Sequence, residues 1–237
     1  MRYTTRRDLS NRLRLAALLF AAATQLAASG SQAAGPSCHC FRDRDYDPAN
    51  PGKSDEYLLA TAANSLLSAA YGVPKRDIVQ ARMSGTSGED LWISTYAARS
   101  LGGDAGVLLT ARAAAASWRD VFRARGGLLE PLGTRFVSAV AGEASDEVLA
   151  CIAAAETLAA RLHTSRQELE ALAGSRATLQ EMVLAALIGT WSSRTAPEVY
   201  ADVRSGKSGW SRLLATVGRV PKQMEVEVAK ALHQEGR

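Results

Sequence analysis

The sequence has 237 residues, of which 47% are hydrophobic, 6% aromatic and 22% charged, and its formal net charge is +4 at pH 7. The first 34 residues carry five arginines and one aspartate, so the rest of the chain holds 23 basic and 23 acidic residues and is neutral. A neutral chain without a cluster of basic residues lacks the positively charged surface with which nucleic-acid-binding proteins contact phosphates. The Ala- and Leu-rich composition shows helical spacing and no strand-like alternation, which predicts an all-α fold.

Residues 1–34 have the pattern of an export signal peptide. An arginine-rich start is followed by an apolar run of 16 residues and by small residues, which predicts cleavage near Ala33 and Ala34. The pair Arg6 and Arg7 also fits a twin-arginine signal, so the ordinary secretory route and export after folding both stay open. A retained anchor helix is the weaker alternative, because the apolar run is short for a membrane span. We therefore expect a periplasmic or secreted protein without a transmembrane segment in its mature chain.

Residues 35–53 predict an irregular N-terminal arm, because they are polar and hold three of the seven prolines. They contain the cluster Cys38, His39 and Cys40, with two of the three cysteines and one of the three histidines. Aspartates and arginines alternate directly after this cluster. The pattern favours a solvated stretch over a calcium loop, because proline stands where such a loop needs glycine. An arm with these charges could instead bind back onto the surface of the helical repeats.

The helical repeat domain is predicted to cover residues 54–220. Its first helix is expected to be capped around Ser54 and Asp55 and to end at Tyr71, before Gly72. Apolar residues at three- and four-residue spacing predict one buried face on this helix. That face comprises Leu58, Leu59, Ala62, Ala63, Leu66, Leu67 and Ala70.

One pattern recurs along this domain with a period of about 30 residues, a length typical of helix–turn–helix repeats. An arginine is followed five and eight residues later by a serine and an aspartate, with anchors at Arg82 and Arg112. A third copy is anchored at Arg204, with its serine displaced by one place, and a weaker copy is anchored at Ala173. The gap before Ala173 is twice the period, which predicts a degenerate copy near Glu143. The sequence thus predicts up to five hairpins that stack as an array or close into a bundle.

Each unit also has a predicted helix cap. A hydroxyl residue is followed three residues later by a carboxylate, so that the hydroxyl accepts from a first-turn N–H and the carboxylate reaches back to the cap. The pairs are Ser87 with Asp90, Ser117 with Asp120, and Thr178 with Glu181. Two short helices around a glycine-containing turn also describe a DNA-binding helix-turn-helix. The export signal and the neutral charge favour a structural hairpin instead.

The last predicted element is an amphipathic helix within residues 221–237, which carries Met224 and Val228 on one side and ends in a polar tail. Neither His163 nor His233 has a serine or cysteine partner with an orienting carboxylate close in sequence. The sequence also lacks a glycine-rich phosphate loop and a dinucleotide-binding fingerprint. These observations predict that the protein is not an enzyme.

The segment that reads C-H-C-F-R-D-R, from Cys38 to Arg44, resembles a family of small exported helical proteins of deltaproteobacterial type. Matching residues continue at Asp55-Glu56-Tyr57, at Asn64-Ser65-Leu66-Leu67 and at Asp90-Leu91-Trp92, over roughly the first half of the mature chain. The resemblance implies an exported, all-helical protein and implies no particular activity.

The three cysteines leave three hypotheses open. In an oxidising compartment thiols usually end as disulfides, so Cys38 or Cys40 is expected to pair with Cys151 and leave one cysteine over. Such a disulfide closes a long loop and would stabilise the fold by about 4 kcal/mol in the chain-entropy model. Alternatively, Cys38, His39 and Cys40 hold copper or zinc with a further ligand from elsewhere in the chain. The third hypothesis is a redox pair, although its spacing is not the one that lowers a thiol pKa.

The first function hypothesis is an exported, non-enzymatic scaffold that binds another protein or a peptide and needs no cofactor. Its candidate binding face comprises Trp118, Trp210, Arg82, Arg112 and Arg204. The two tryptophans share one repeat position and would form an aromatic ridge if exposed, although most such aromatics belong to a core. The alternative is a periplasmic metal- or cofactor-binding protein that uses the Cys38 cluster.

Overall fold

The protein is all-α, which confirms the predicted fold class. The computed structural model describes residues 51–125 and 128–233, with side chains from Ser54 onward, and these residues form twelve α-helices, two 3₁₀ helices and no strand. In chain order the α-helices are α1 (Pro51–Tyr71), α2 (Lys75–Met83), α3 (Gly88–Leu101), α4 (Ala105–Ala113), α5 (Trp118–Arg123), α6 (Thr134–Ala141), α7 (Asp146–Leu162), α8 (Arg166–Gly174), α9 (Leu179–Thr190), α10 (Ala196–Arg204), α11 (Trp210–Thr216) and α12 (Met224–His233). The 3₁₀ helices are Glu130–Leu132, before α6, and Pro221–Gln223, before α12.

Helices α2 to α11 form five consecutive helical hairpins. Each hairpin pairs a first helix of 8 or 9 residues with a second helix of variable length. The N-caps of the second helices are Ser87, Ser117, Ser145, Thr178 and Gly209, which confirms the period of about 30 residues. The degenerate copy predicted near residue 143 is the third hairpin, α6–α7.

The second residue after the first helix has a left-handed backbone in four of these hairpins. The φ angles are 97° at Gly85, 62° at Glu143, 61° at Arg176 and 73° at Gly206. Glycine adopts this conformation without steric cost, whereas other residues are strained there. The two strained positions belong to the hairpins whose sequence pattern is weak, so the backbone repeat is better preserved than the residue types that favour it.

Hydroxyl side chains cap the second helices of the first four hairpins. The hydroxyl oxygens of Ser87, Ser117, Ser145 and Thr178 each accept a hydrogen bond from the backbone N–H three residues later. The reciprocal half of the capping box forms at Thr178, where the partner is a glutamate. At Ser117 the hydroxyl donates to the Asp120 carboxylate at 2.7 Å, so this aspartate also reaches back to its cap residue as predicted. At Ser87 the Asp90 carboxylate accepts from the indole N–H of Trp118 instead.

The N-terminal helix α1 caps the last hairpin. It begins at Pro51, earlier than predicted, so Asp55 lies inside the helix and the predicted cap of α1 is wrong. The Asp55 carboxylate instead accepts hydrogen bonds from the backbone N–H of Trp210 at 3.2 Å and of Ser211 at 2.9 Å, at the start of α11. The N-cap of α11 is Gly209, where a Cβ would lie 3.1 Å from an Asp55 carboxylate oxygen. A residue 155 positions earlier therefore supplies the cap that this hairpin lacks.

The hairpins close into a bundle rather than an open array. Helix α1 packs against α2 and α3 near the start of the domain and against α9, α11 and α12 near its end. The predicted apolar face of α1 is confirmed for Leu58, Ala62, Ala63, Leu66 and Leu67, all of which are buried. Helix α12, predicted to be amphipathic, buries Met224, Val228 and Ala231.

Replacing Asp55 by alanine tests the link between the two ends of the bundle. We expect the free energy of unfolding to fall by about 1–3 kcal/mol, because a charged acceptor that serves several donors at a helix N-terminus is lost. Urea denaturation followed by circular dichroism measures the change. The control is Glu170→Ala, which removes an exposed carboxylate 3.9 Å from Arg135 and should change stability by less than about 1 kcal/mol. Equal losses in the two variants would contradict the capping role of Asp55.

Candidate functional site

Two of the arginines predicted for a binding face fold back onto their own hairpin turns. Arg82 donates a hydrogen bond to the carbonyl of Thr86 at 3.2 Å, and Arg112 donates one to the carbonyl of Ala115 at 2.8 Å. Arg204, at the corresponding position of the fifth hairpin, is exposed at the end of α10. In the first two hairpins the arginine therefore covers the turn between the paired helices.

Arg112 also joins three hairpins. Its guanidinium donates to the Asp146 carboxylate at 2.9 Å, and its Nε lies 3.4 Å from the Asp90 carboxylate. Asp90 accepts from the indole N–H of Trp118 at 2.7 Å, and Asp146 accepts from the backbone N–H of Trp118 at 3.0 Å. All three charged side chains are partly buried, between 21% and 24% exposed. This cluster joins the N-terminal ends of α3, α5 and α7, and it occupies the Asp90 carboxylate that was predicted to complete a capping box.

The two repeat tryptophans belong to the core and not to a binding face. Trp118 is 0% exposed and Trp210 is 2% exposed. Trp118 stacks on Phe122 with 5.6 Å between ring centroids, and Phe122 meets Phe136 edge to face at 5.4 Å. The conditional prediction of an aromatic ridge therefore fails, because burial of these large rings stabilises the contacts between hairpins.

A groove with an apolar lining runs between α7, α8 and the start of α9. Its volume is about 540 Å³, within the usual range of ligand sites. The larger apolar side chains of the lining are Val148 and Ile152 from α7, Leu169 from α8, and Leu179 and Met182 from α9. Val148 is 47% exposed, so part of this apolar surface faces solvent.

The groove lies where a small residue replaces the arginine of the repeat. Ala173 occupies the repeat position of Arg82 and Arg112, and Ala155 and Ala177 add two more small side chains to the lining. An arginine at position 173 would place a guanidinium in the wall of the groove. The sequence showed Ala173 as a departure from the repeat. It did not show that this departure opens a groove, because the facing wall is α7, which belongs to the preceding hairpin.

Charges of both signs complete the lining of the groove. Glu89 and Glu147 are acidic, and Arg135 and Arg176 are basic. A hydrogen bond with the Ser145 hydroxyl holds the pKa of Glu147 below its usual value, so this carboxylate is ionised at neutral pH. The groove therefore combines an apolar surface with charged groups that suit a peptide carrying charges of both signs.

Cys151 lies half-buried in the wall of the groove, and it is the one cysteine within the described residues 51–125 and 128–233. Burial, together with the smaller effect of the nearby carboxylates of Glu89 and Glu147, raises its pKa to about 11. A thiol with such a pKa is protonated at neutral pH and reacts slowly as a nucleophile. The position of Cys151 in the groove was not foreseen from the sequence, which indicated only a helix rich in alanine and isoleucine.

The predicted metal ligands Cys38, His39 and Cys40 lie outside the described residues. The same applies to both predicted disulfide partners of Cys151. Within residues 51–125 and 128–233, no group of three or more His, Cys, Asp and Glu side chains could hold a metal ion. The disulfide and the copper or zinc site therefore both stay predictions.

A serine–lysine pair, missed in the sequence, lies between α1 and α2. The Nζ of Lys75 donates to the Oγ of Ser65 at 3.0 Å and lies 3.7 Å from the Glu225 carboxylate. Burial lowers the pKa of Lys75, against the opposing effect of Glu225. Such pairs act as nucleophile and base in some hydrolases. Ser65, however, is 0% exposed, so its hydroxyl is out of reach of a substrate.

A smaller pocket adjoins the groove. It has a volume of about 230 Å³ and lies between α1, α3 and the start of α9. Its lining includes the polar side chains of Asn64 and Arg82. It shares three lining residues with the groove, Glu89, Thr178 and Leu179. The two cavities are therefore neighbours on one surface.

Comparison of the chain with protein-family models, with curated proteins and with solved structures finds no match in any of the three. The resemblance carried by the segment from Cys38 to Arg44 therefore stays a prediction. In the part of the chain that the structure describes, no helix is both long enough and apolar enough to span a bilayer.

Replacing Arg112 by alanine tests the cluster that joins three hairpins. We expect a loss of about 1–3 kcal/mol in the free energy of unfolding, because Asp90 and Asp146 lose their shared cation while they stay partly buried. The matched control is Arg204→Ala at the same repeat position, which should change stability by less than about 0.5 kcal/mol because the side chain is exposed. If both variants unfold at the same urea concentration, Arg112 does not stabilise the bundle.

The alkylation rate of Cys151 should reveal its raised pKa. In a Cys38→Ser/Cys40→Ser chain, Cys151 is the remaining thiol, and its rate of reaction with iodoacetamide should rise with pH until about 11. An ordinary thiol levels off near its pKa of about 8.5, because only the thiolate reacts. The same variant unfolded in urea supplies that ordinary profile. A folded-state profile that levels off with the unfolded one would contradict the burial of the thiol.

Proposed function

We propose that this chain is an exported, non-enzymatic helical scaffold that binds a peptide segment in the groove between α7, α8 and α9. The observation that carries the proposal is the groove itself, which offers about 540 Å³ of partly exposed apolar space in a bundle of capped helices. Export rests on the signal-like pattern of residues 1–34.

The lining of the groove favours binding over catalysis. The groove contains no histidine among its described residues, and its one thiol, Cys151, is held in the protonated form by a pKa of about 11. An acyl- or group-transfer site needs an activated nucleophile with a base within hydrogen-bonding distance. An apolar surface with a few charged groups instead resembles the lining of a recognition site.

The chemistry of the groove indicates the kind of peptide that fits. Apolar anchors such as leucine or phenylalanine would pack against Val148, Ile152 and Met182. Basic residues of the peptide would lie near Glu89, and acidic residues near Arg176. Each fully buried anchor contributes about 1.5–3 kcal/mol, part of which is offset by the cost of ordering the peptide. A short peptide with two anchors should therefore bind with a dissociation constant of about 1 μM or weaker.

Peptide binding can be measured by fluorescence polarisation under reducing conditions. The probes are short fluorescein-labelled peptides in which leucine or phenylalanine anchors are flanked by lysine on one side and aspartate on the other. Val148→Glu should weaken their binding by at least about tenfold, because it places a charge in the apolar surface. The matched control is Val107→Glu on α4, since Val107 is also exposed, at 59%, and lies outside the groove. Equal affinities in the two variants, or no binding to the unsubstituted chain, would refute the proposed site.

A further inference from the structure

We propose that the resident occupant of the groove is the chain's own arm, residues 38–50, fastened by a disulfide between Cys151 and either Cys38 or Cys40. The inference rests on the proposed function, since it gives the peptide-binding groove an internal ligand and a redox-dependent means of release. The inference goes beyond a disulfide that only stabilises the fold, because the arm would cover the same apolar surface that an external peptide needs.

A path for the arm leads from α1 to Cys151. The smaller pocket begins beside Ala60 on α1 and meets the groove at Glu89, Thr178 and Leu179. Cys151 lies in the wall of the groove close to that junction, near enough to Glu89 to be affected by its charge. A chain that leaves the start of α1 can therefore follow two adjoining cavities to the thiol.

The arm is long enough for this path. From Pro51 to Ala60 the distance along α1 is about 14 Å, since an α-helix rises 1.5 Å per residue. The chain from Cys40 to Pro51, when extended, spans at most about 36–40 Å, and starting from Cys38 adds about 7 Å. At least about 20 Å thus remain to cross the smaller pocket and enter the groove.

The charges and the one aromatic residue beside the cysteines match the groove. Phe41 directly follows Cys40 and supplies an apolar anchor of the kind that the lining favours. In an extended chain, alternate side chains point to opposite sides. Arg42 and Arg44 would therefore share one side, where they complement the acidic residues Glu89 and Glu147.

The aspartates that alternate with these arginines complement the basic residues along the same path. Asp43 and Asp45 would lie on the opposite side from the two arginines, which suits Arg135 and Arg176 of the groove. The arm and the groove thus carry apolar, basic and acidic groups in complementary sets.

Formation of the link is a two-electron oxidation. Two cysteine thiols give up two protons and two electrons to a disulfide oxidant such as glutathione disulfide, whose S–S bond breaks to give two thiols while the new protein S–S bond forms. The thiolate of the arm cysteine attacks the oxidant first, because Cys151 is protonated at neutral pH, and one glutathione leaves as its thiol. Cys151 then loses its proton and displaces the second glutathione from the mixed disulfide. Reduction reverses both bond changes and frees the groove.

The test compares the full mature chain in oxidised and reduced form. After treatment with glutathione disulfide, non-reducing peptide mapping by mass spectrometry should show a peptide with Cys38 and Cys40 linked to one with Cys151. Polarisation with the same fluorescein-labelled peptides should give binding at least about tenfold weaker for the oxidised chain than for the reduced chain. The control is Cys38→Ser/Cys40→Ser, which keeps the groove intact and should bind equally well in both conditions.

Hydroxyl-radical footprinting of Val148 supplies a readout that does not need a peptide. Its labelling should be lower in the oxidised chain than in the reduced chain, and unchanged by oxidant in the double serine variant. A linked chain with undiminished peptide binding and labelling would show that the arm does not cover the groove. A disulfide between Cys38 and Cys40, or a metal adduct on the arm, would also overturn the inference. Absence of peptide binding in every form, with Val148 still protected on oxidation, would refute only the proposed function.

Discussion

Carboxylates that cap helices of other hairpins hold this bundle together. Asp55 of α1 caps α11, Asp146 of α7 accepts from the first N–H of α5, and Glu168 of α8 accepts from the first N–H of α10 at 3.2 Å. Helices of fewer than about 12 residues are marginal in water, and each leaves its first N–H groups without partners. A carboxylate from another hairpin satisfies these donors and interacts favourably with the helix dipole. The short helices are therefore completed by carboxylates of their neighbours in addition to the hydroxyl caps of their own sequences.

The same dependence explains why the hairpins close on themselves. The last hairpin has a glycine, Gly209, where the others have a hydroxyl cap, and it relies on α1 for its carboxylate. At the C-terminal end of α9, the Arg219 guanidinium lies 5.5 Å over the ring of the cap residue Trp191 and pairs with the buried Glu227 of α12. The N-terminal helix and the C-terminal helix thus both contact the middle of the bundle, and a terminal hairpin of an open array would lose these partners.

The groove follows from departures from the repeat. In the first two hairpins an arginine covers the turn, and Arg112 also neutralises two aspartates between hairpins. In the fourth hairpin that position is Ala173, and the space it leaves is bounded by α7 and lined by Cys151. The repeated residues maintain the packing of the hairpins along the chain. The side chain at a position that departs from the repeat can therefore differ in polarity or size while that packing is kept. The fourth hairpin therefore differs at this position from the structural pattern of the first two hairpins.

The sequence by itself determined the all-α fold, the period, the caps at Ser87, Ser117 and Thr178, and the buried face of α1. These features depend on local hydrogen bonds and helical spacing, which neighbouring residues decide. Only the tertiary structure decided that Asp55 caps a distant helix and that the repeat tryptophans are buried. It also decided that Cys151 lines a groove. Each of these depends on which helices become neighbours in space, and that follows from how the hairpins pack together rather than from any one segment.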